Sequence, residues 1–554
     1  MAKKDYSTWS KTELVRELKK VEKRKKYGIV WEDKPEQVAV LCKEKLPVLE
    51  EDKSKKILSG SDKPINVLIE GDNYHTLSVL NYTHKGAIDV IYIDPPYNTG
   101  SDDFKYNDRI VDKEDAYRHS KWLSFMQKRL LLTRNLLKNT GVFFISIGDD
   151  EFAQLKLLCD EVFGENNFLA NIIRKSKETS NKGRYFSPST DYVLCYGKNI
   201  DALPEFNDSE VQKGEKYLKL FRHEDKRGKY NLVSLYMPSL DPRPNQRYYI
   251  GCPDGTKVIT PSEDKMFRWI PETFKRNLED NRVVFLKTKT SPLLDENGKK
   301  AGWNIYTKIY LHERQLTGMK PLTFIDIPNS LGSKELIKMG IDFPFSKPKE
   351  LIKFLISITN KENNITILDF FAGSGTTGQA VLELNRDDDG NRKFILCTNN
   401  ENNIATDYCY PRIKKVIEGY QSAKGEAVVG LDGNLRYFKT DFVNAEQTDD
   451  NKRKLVDKST EMLCIKEDCF DESIKGENFR MFTNSQNRHL GIIYDDDGIE
   501  PIKKEIRKLN QKFVVYVFSL DDSAREEEFE DVKNLVELKP IPAVILNVYK
   551  RIFK

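Results

Sequence analysis

The chain has 554 residues, 39% of them hydrophobic and 32% charged, and its 90 basic and 86 acidic side chains leave a net charge of only +4. That apolar content supports real cores under a very polar surface, while the balanced charge does not by itself imply a nucleic-acid partner, so any basic face must come from local segregation. The eight cysteines (Cys42, Cys159, Cys195, Cys252, Cys397, Cys409, Cys464, Cys469) never fall in a Cys-x-x-Cys pattern, which argues against a zinc site or a disulfide framework and for reduced thiols in a cytoplasm.

No signal peptide is expected from "MAKKDYSTWS", which has no apolar core, and no apolar run reaches membrane-spanning length. The length suggests roughly three to four domains. Residues 1–60 read as a charged helical region, with Ser10 and Glu13 as a capping box before Leu14, Leu18 and Val21. The basic run "KKVEKRKKYG" reads as a solvated face.

From residue 61 the pattern becomes α/β. Strands are expected at 65–70, 88–93, 142–149 and 191–198, with a short helix after the first, a long one at 113–139 and another at 150–163. Such alternation predicts a largely parallel sheet. Residues 199–330 break the rhythm. "RYYIGCPDGTKVIT" reads as a hairpin turning at Pro253-Asp254-Gly255, and "FRWIPETFKRNLEDNRVVFL" as a helix and strand, with basic and aromatic residues interleaved throughout. The α/β rhythm returns in 331–440: helix 348–360, strand 365–371, helix 376–385, a turn, strand 393–398 and helix 402–419. Residues 441–554 open on a linker-like stretch, "TDFVNAEQTDDNKRK", and continue as a small separate α/β domain with a final helix ending at Lys554.

Two stretches carry chemistry. In "IYIDPPYNTG" (91–100) an apolar strand ends at Asp94-Pro95-Pro96-Tyr97. Proline is an ordinary strand terminator, but a turn needs only one. Two in succession lock consecutive φ angles and restrict their predecessors, holding Asp94 and Tyr97 at a nearly fixed separation. In open α/β sheets ligands bind at this end of a strand. A rigid acceptor beside a rigid ring suits a flat base with an exocyclic amine: the Asp94 carboxylate and Pro95 carbonyl accept its hydrogens and Tyr97 stacks on its face. In "DFFAGSGTTG" (369–378) strand, glycine turn and helix follow one another, and Gly373 and Gly375 let the backbone approach a ligand. The G-x-x-x-x-G spacing raises a P-loop, but Gln379 stands where that loop needs Lys. The G-x-G-x-x-G spacing leaves a dinucleotide site formally open.

Together, D-P-P-Y-N-T-G and F-A-G-S-G-T-T resemble the amino-methyltransferases of DNA. The order, D-P-P-Y first, then a long insert, then the glycine loop, resembles the β class, and "KKYGIVWE", "GDNYHTLSVL" and "CTNNENNIATDYCYPRIKKVI" resemble the modification (Mod) subunits of type III restriction-modification systems over roughly residues 10–440. The resemblance implies an α/β, circularly permuted Rossmann-like sheet. Its parts are a catalytic half (61–198), a target-recognition insert (199–330) and a cofactor half (331–440); the C-terminal α/β domain (441–554) lies beyond the resemblance and is a candidate for contact with a second copy or a partner.

The activity implied is S-adenosylmethionine-dependent methylation of adenine N6 in double-stranded DNA, with Asp94, Pro95, Pro96 and Tyr97 as catalytic residues and no metal. Asp369, Phe371, Gly373, Gly375 and Thr376 are expected around the cofactor, with Lys347 and Pro348 of "FSKP" lining the same pocket and Asp72 near the adenine. Asp72 also reads as a turn residue and Lys347 as a solvated lysine. Strand 393–398 lacks the usual terminal acid for the ribose: Thr398, Asn399 and Asn400 precede Glu401, and the choice among them stays open. Arg243, Asn245, Gln246, Arg247 and Arg268 are expected to read base edges, with Lys226 and Lys229 better suited to phosphate. A homodimer and a restriction (Res) helicase-nuclease partner are implied. The alternatives are a solitary methyltransferase and a cofactor-binding DNA adaptor without turnover.

Overall fold

The computed structural model describes residues 9–15, 28–60, 63–101, 103–177, 185–207, 219–238, 243–316, 320–344, 346–359 and 362–553. Leu18, Val21 and all but the last residue of the basic run "KKVEKRKKYG" lie outside them. The chain divides into two compact units, Met1–Glu205 with Leu322–Lys554, and Phe206–Pro321.

The first unit is built on one large sheet. Its main strands are β1 (Lys45–Glu51), β2 (Ile65–Glu70), β3 (Ile88–Ile93), β4 (Leu137–Ile147), β5 (Phe168–Lys175), β6 (Thr190–Gly197), β7 (Phe324–Asp326), β8 (Thr366–Asp369), β9 (Lys393–Thr398) and β10 (Asn434–Asn444), with the short strand Ile57–Leu58 also paired to β10. They lie in the order β1-β10-β2-β9-β8-β3-β4-β6-β5-β7. From β10 to β4 every pairing is parallel. Helices α1 (Asn73–Thr83), α2 (Arg118–Leu136), α3 (Phe152–Phe163), α4 (Lys349–Thr359), α5 (Thr376–Asp388) and α6 (Tyr410–Glu418) belong to the same unit.

The strands at the centre are the ones the apolar runs predict. All six residues of β3 are buried, and each aliphatic side chain so placed contributes about 1.5–3 kcal/mol. Buried polar groups on these strands are paired, as burial demands. Asp89 accepts from the Thr366 amide at 2.9 Å and from Lys138 at 2.7 Å, and Tyr92 bonds Ser146 at 2.9 Å. Thus β3 is tied by side chains to both neighbours. Every residue of α5 from Thr376 to Asn385 is buried. A Cβ on Gly378 would lie 2.5 Å from Ile413 Cδ1, so this glycine permits α5 to approach α6.

Several expectations are corrected. The N-terminal region is not wholly helical: the capping box is present, with Ser10 N donating to Glu13 at 2.9 Å and Glu13 N to Ser10 at 3.3 Å, but β1 follows and pairs antiparallel with β10. Strand β5 had no sequence counterpart, because "FLANIIRK" has no clean alternation. The linker-like stretch is the end of β10 followed by a helix, Asp449–Asp457, capped by Thr448; its charges sit on the solvent side of an edge pairing. The C-terminal segment is not set apart. It has its own five-stranded sheet, yet Leu463, Phe482, Tyr516 and Leu546 share one buried cluster with β1 and α1, and the Tyr549 hydroxyl donates to Pro47 O at 2.5 Å. Among the described residues no helix is long and apolar enough to cross a membrane.

The second unit has a separate core of Leu235, Ile250, Val258, Phe267, Leu293 and Ile305. A four-stranded antiparallel sheet contains Gly228–Ser234, Trp303–Tyr310 and Val283–Lys287. The hairpin at 250–259 closes as its Pro-Asp-Gly turn predicts, with Gly255 N donating to Cys252 O at 3.0 Å. The unit is narrower than 199–330, because β7 pairs in parallel with β5 and belongs to the first unit.

Candidate active site

Strands β3 and β8 are far apart in the chain and adjacent in space: Val90 pairs with Ile367 and Ile91 with Leu368, in parallel. From β8 the chain returns to its neighbour β9, and from β3 to its other neighbour β4. The strand order therefore reverses between them, and a crevice opens at their carboxyl ends. Both motifs leave the sheet at that crevice. It is a cleft of about 740 Å³, lined by Asp72, Asp94, Pro95, Pro96, Lys347, Asp369, Phe371, Gly373, Thr376, Thr398 and Asn399 among others. That volume suits a cofactor-sized ligand.

The D-P-P-Y loop is held from below. Trp122 Nε1 donates to Pro96 O at 2.8 Å. Asn98, buried and with φ +58°, donates to Glu151 Oε1 at 2.5 Å, and His119 bonds the same oxygen at 2.6 Å. Burial pushes the Glu151 carboxyl up, against the opposing pull of Asn98. Tyr97 is not among the cleft-lining residues. Its ring lies against Gly148, and Lys347 Nζ stands 4.8 Å from its centroid. Burial and the neighbouring Asp94 raise the Tyr97 phenol well above its ordinary value. Lys347 is not a solvated lysine: its ammonium donates to both Asp94 oxygens, at 2.7 and 2.8 Å.

The glycine loop is equally built. Gly373 has φ +51° and a Cβ there would meet nothing closer than 3.8 Å, so the space above it opens to the cleft. Gly375 has φ +82°, and a Cβ would lie 3.1 Å from Cys409 Sγ. Asp369 does not point at solvent; it accepts from Thr377 Oγ1 at 2.5 Å and from Phe371 N at 3.0 Å, tying the strand end to α5. Burial raises its carboxyl to about 7. Arg412, fully buried on α6, donates to Ser374 and Thr376 at 2.8 Å and to Gln379 at 2.9 Å, and burial lowers its guanidinium to about 10.

At the end of β2, Asp72 caps α1 through Tyr74 N at 2.7 Å and also faces Arg129 at 3.3 Å. It is thus a turn residue that also lines the cleft. Arg129 is buried, pairs Glu36 at 2.8 Å and stacks 3.6 Å over Phe125. After β9, Thr398 and Asn399 reach the cleft together with Glu401, which pairs with Lys105. Asn400 instead caps the following turn, accepting from Ala405 N at 3.1 Å and Thr406 N at 3.2 Å.

In the second unit Arg243, Asn245, Arg247 and Arg268 are exposed and Gln246 is half-buried. Gln246 donates to Arg268 O at 3.4 Å, Arg268 Nε to Ser234 O at 2.8 Å and Arg247 to Thr260 O at 3.5 Å. The first of these bonds brings Arg268 beside Gln246.

Sequence reasoning missed Gly148, Trp122, Glu151, Arg129 and Arg412. Arg129 and Arg412 left one signal, a charge within the apolar face of an amphipathic helix. The others left none, because their role depends on a loop remote in sequence.

A DNA methylase family model matches residues 88–440. The chain is 33% identical over 377 residues to the type III restriction-modification enzyme StyLTI Mod subunit of Salmonella typhimurium, covering 63% of this chain and 55% of that one. It is 32% identical over 412 residues to the EcoPI Mod subunit of Escherichia phage P1, covering 64% and 60%. It is 30% identical over 365 residues to the type II methyltransferase M.KpnI of Klebsiella pneumoniae, covering 64% and 85%. The chain thus spans 55% and 60% of the length of the two Mod relatives.

Proposed function

The chain belongs to the DNA methylase family, and on that premise we propose that it transfers a methyl group from S-adenosylmethionine to adenine N6 in double-stranded DNA, at a specific sequence. The observation that carries this reading is the meeting of Asp94-Pro95-Pro96 and the Phe371–Thr376 loop in one cleft, on adjacent parallel strands at the point where the strand order reverses.

The cleft fits the cofactor. Gly373 opens the backbone to the cleft while Gly375 tightens the turn against Cys409, α5 presents its first amides, and Phe371, Gly373, Thr376, Asp72, Thr398 and Asn399 would surround the bound molecule. When bound, it supplies an electrophilic sulfonium methyl. The protein's part is positioning and electrostatics. An adenine amine is a poor nucleophile because its lone pair is delocalised. Acceptance of its two hydrogens by the Asp94 carboxylate and the Pro95 carbonyl draws the nitrogen toward tetrahedral geometry and frees the lone pair for in-line attack. The methylated amine is transiently acidic, so Asp94 or water suffices to take its proton. N6 is hidden within a duplex, so the base must leave the stack; Tyr97 supplies a stacking face.

Similarity to Mod subunits supports a further reading: this chain modifies DNA and lends specificity to a restriction (Res) partner, as a homodimer. The second unit, with its separate core and exposed Arg243, Asn245 and Arg247, is the proposed target-recognition domain. Eight buried free thiols suit the reducing cytoplasm where we place it.

The test is methyl transfer from labelled S-adenosylmethionine to DNA, followed by mapping of the modified base. Label on adenine N6 at one recurring sequence is expected. Cofactor and DNA binding without transfer would leave a DNA adaptor.

A further inference from the structure

Lys347 Nζ lies 2.7 and 2.8 Å from the two oxygens of Asp94 and 4.8 Å from the centre of the Tyr97 ring. These are the acceptor and the aromatic face that the reading above assigns to the target amine and its base. An ammonium and an exocyclic amine both donate N–H, and a cation and a flat base both seek a ring face. The lysine therefore stands on the acid and over the ring.

The backbone beneath Lys347 is fixed. Pro348 follows, restricting Lys347 to extended geometry, and a Cβ on Gly332 would lie 2.8 Å from Lys347 O and 2.4 Å from Ser346 O, so the helix Ser330–Lys338 is pressed against this segment. The side chain, by contrast, is a flexible four-carbon stem carrying a compact charge. Its head can leave Asp94 while its backbone stays in place.

We propose that Lys347 is the gate of the base pocket: its ammonium holds Asp94 and covers Tyr97 in the free protein, and is exchanged for the amine and ring of the extruded base. The proposal rests on the methyltransferase reading. It also gives the pocket a means of selection. A base bearing an amine where Asp94 sits replaces the donor that the lysine withdraws, whereas a base lacking it leaves a partly buried carboxylate short of a partner. The lysine yields to the first and resists the second.

The test uses the full chain with S-adenosylhomocysteine and duplex DNA carrying 2-aminopurine, which has no 6-amine, at the mapped target position. In the parent the lysine resists this base. Lys347→Met should raise the flipped population, read by fluorescence, on the order of tenfold or more, the factor for charge-assisted hydrogen bonds removed from the closed state, and Lys347→Gln, which keeps only a neutral amide donor, should raise it by less. Because Lys347 lines the cleft, S-adenosylhomocysteine is held saturating for each variant and its affinity is measured separately. Lys347→Gln keeps a polar chain and guards against a folding defect in the methionine variant. Parent-like or lower fluorescence in both variants overturns the gate, and weaker S-adenosylhomocysteine binding beside it would make the lysine a cofactor ligand. A parent chain that moves no methyl to DNA overturns the functional reading instead.

Discussion

A methyl group on Gly148 would stand 2.8 Å from Cδ2 of Tyr97. The first residue beyond β4 is thus the floor on which the ring of the D-P-P-Y loop rests, and only glycine leaves the ring where it is. Gly148→Ala should tilt Tyr97 and weaken holding of the extruded base. Base–aromatic stacking is worth roughly 1–3 kcal/mol, so the KM for DNA should rise about tenfold or more while cofactor affinity is unchanged. Steady-state kinetics with DNA and cofactor varied in turn checks this; a parent-like KM for DNA would mean that the ring does not hold the base.

Asp94→Ala removes the acceptor at the reacting amine. Loss of one preorganised contact of this kind costs about 10²–10³-fold in turnover or more. Single-turnover transfer should fall accordingly, with DNA binding largely retained by gel shift. Near-normal transfer by the purified variant would remove Asp94 from the mechanism.

Asp369 makes stability pH-dependent. Burial raises its carboxyl from the usual 3.8 to about 7 in the folded state. Between these values the folded chain holds a proton that the unfolded chain has released, so stability falls as pH rises through the window. Asp369→Asn should lose this component. Urea unfolding from pH 4 to 8 should show the parent losing stability relative to the variant, by a few kcal/mol across the window. Parallel pH profiles would place the proton elsewhere.

Arg412 holds the glycine loop through Ser374, Thr376 and Gln379. Hydrogen bonds to charged groups are worth about 1.5–3 kcal/mol each, and removing one partner strands the buried groups it served. Arg412→Met should therefore lower the melting temperature and, in the chain that remains folded, weaken S-adenosylmethionine binding by tenfold or more. Calorimetric titration well below the melting transition checks this; parent-like cofactor affinity beside a lowered melting temperature would make Arg412 a general core residue.

In the second unit, Arg243→Ala should relax specificity at one base position by roughly 1–3 kcal/mol, whereas Lys229→Ala should weaken all sites alike and flatten the salt dependence. Methylation mapping on a library of variant sites, repeated at two salt concentrations, distinguishes these. A uniform loss from Arg243→Ala would make it a phosphate contact.

The sequence by itself determined the local parts of this protein. Strands β2, β3, β8 and β9 were legible because a strand buried on both faces is a continuous apolar run, and their ends because proline and glycine punctuate the chain at the residue where they act. Asp94 and Gly373 were legible for the same reason. Only the tertiary structure decided what those parts meet. That β3 lies beside β8, that Lys347 reaches Asp94, that Gly148 underlies Tyr97 and that Arg412 braces the glycine loop are contacts between residues remote in sequence, and no local spacing encodes them. Strand β1, the helix hidden in a charged stretch after β10 and the docking of the C-terminal segment were missed likewise. An edge strand or a surface helix keeps its charges toward water, and which of its faces is buried depends on a neighbour that the chain supplies hundreds of residues away.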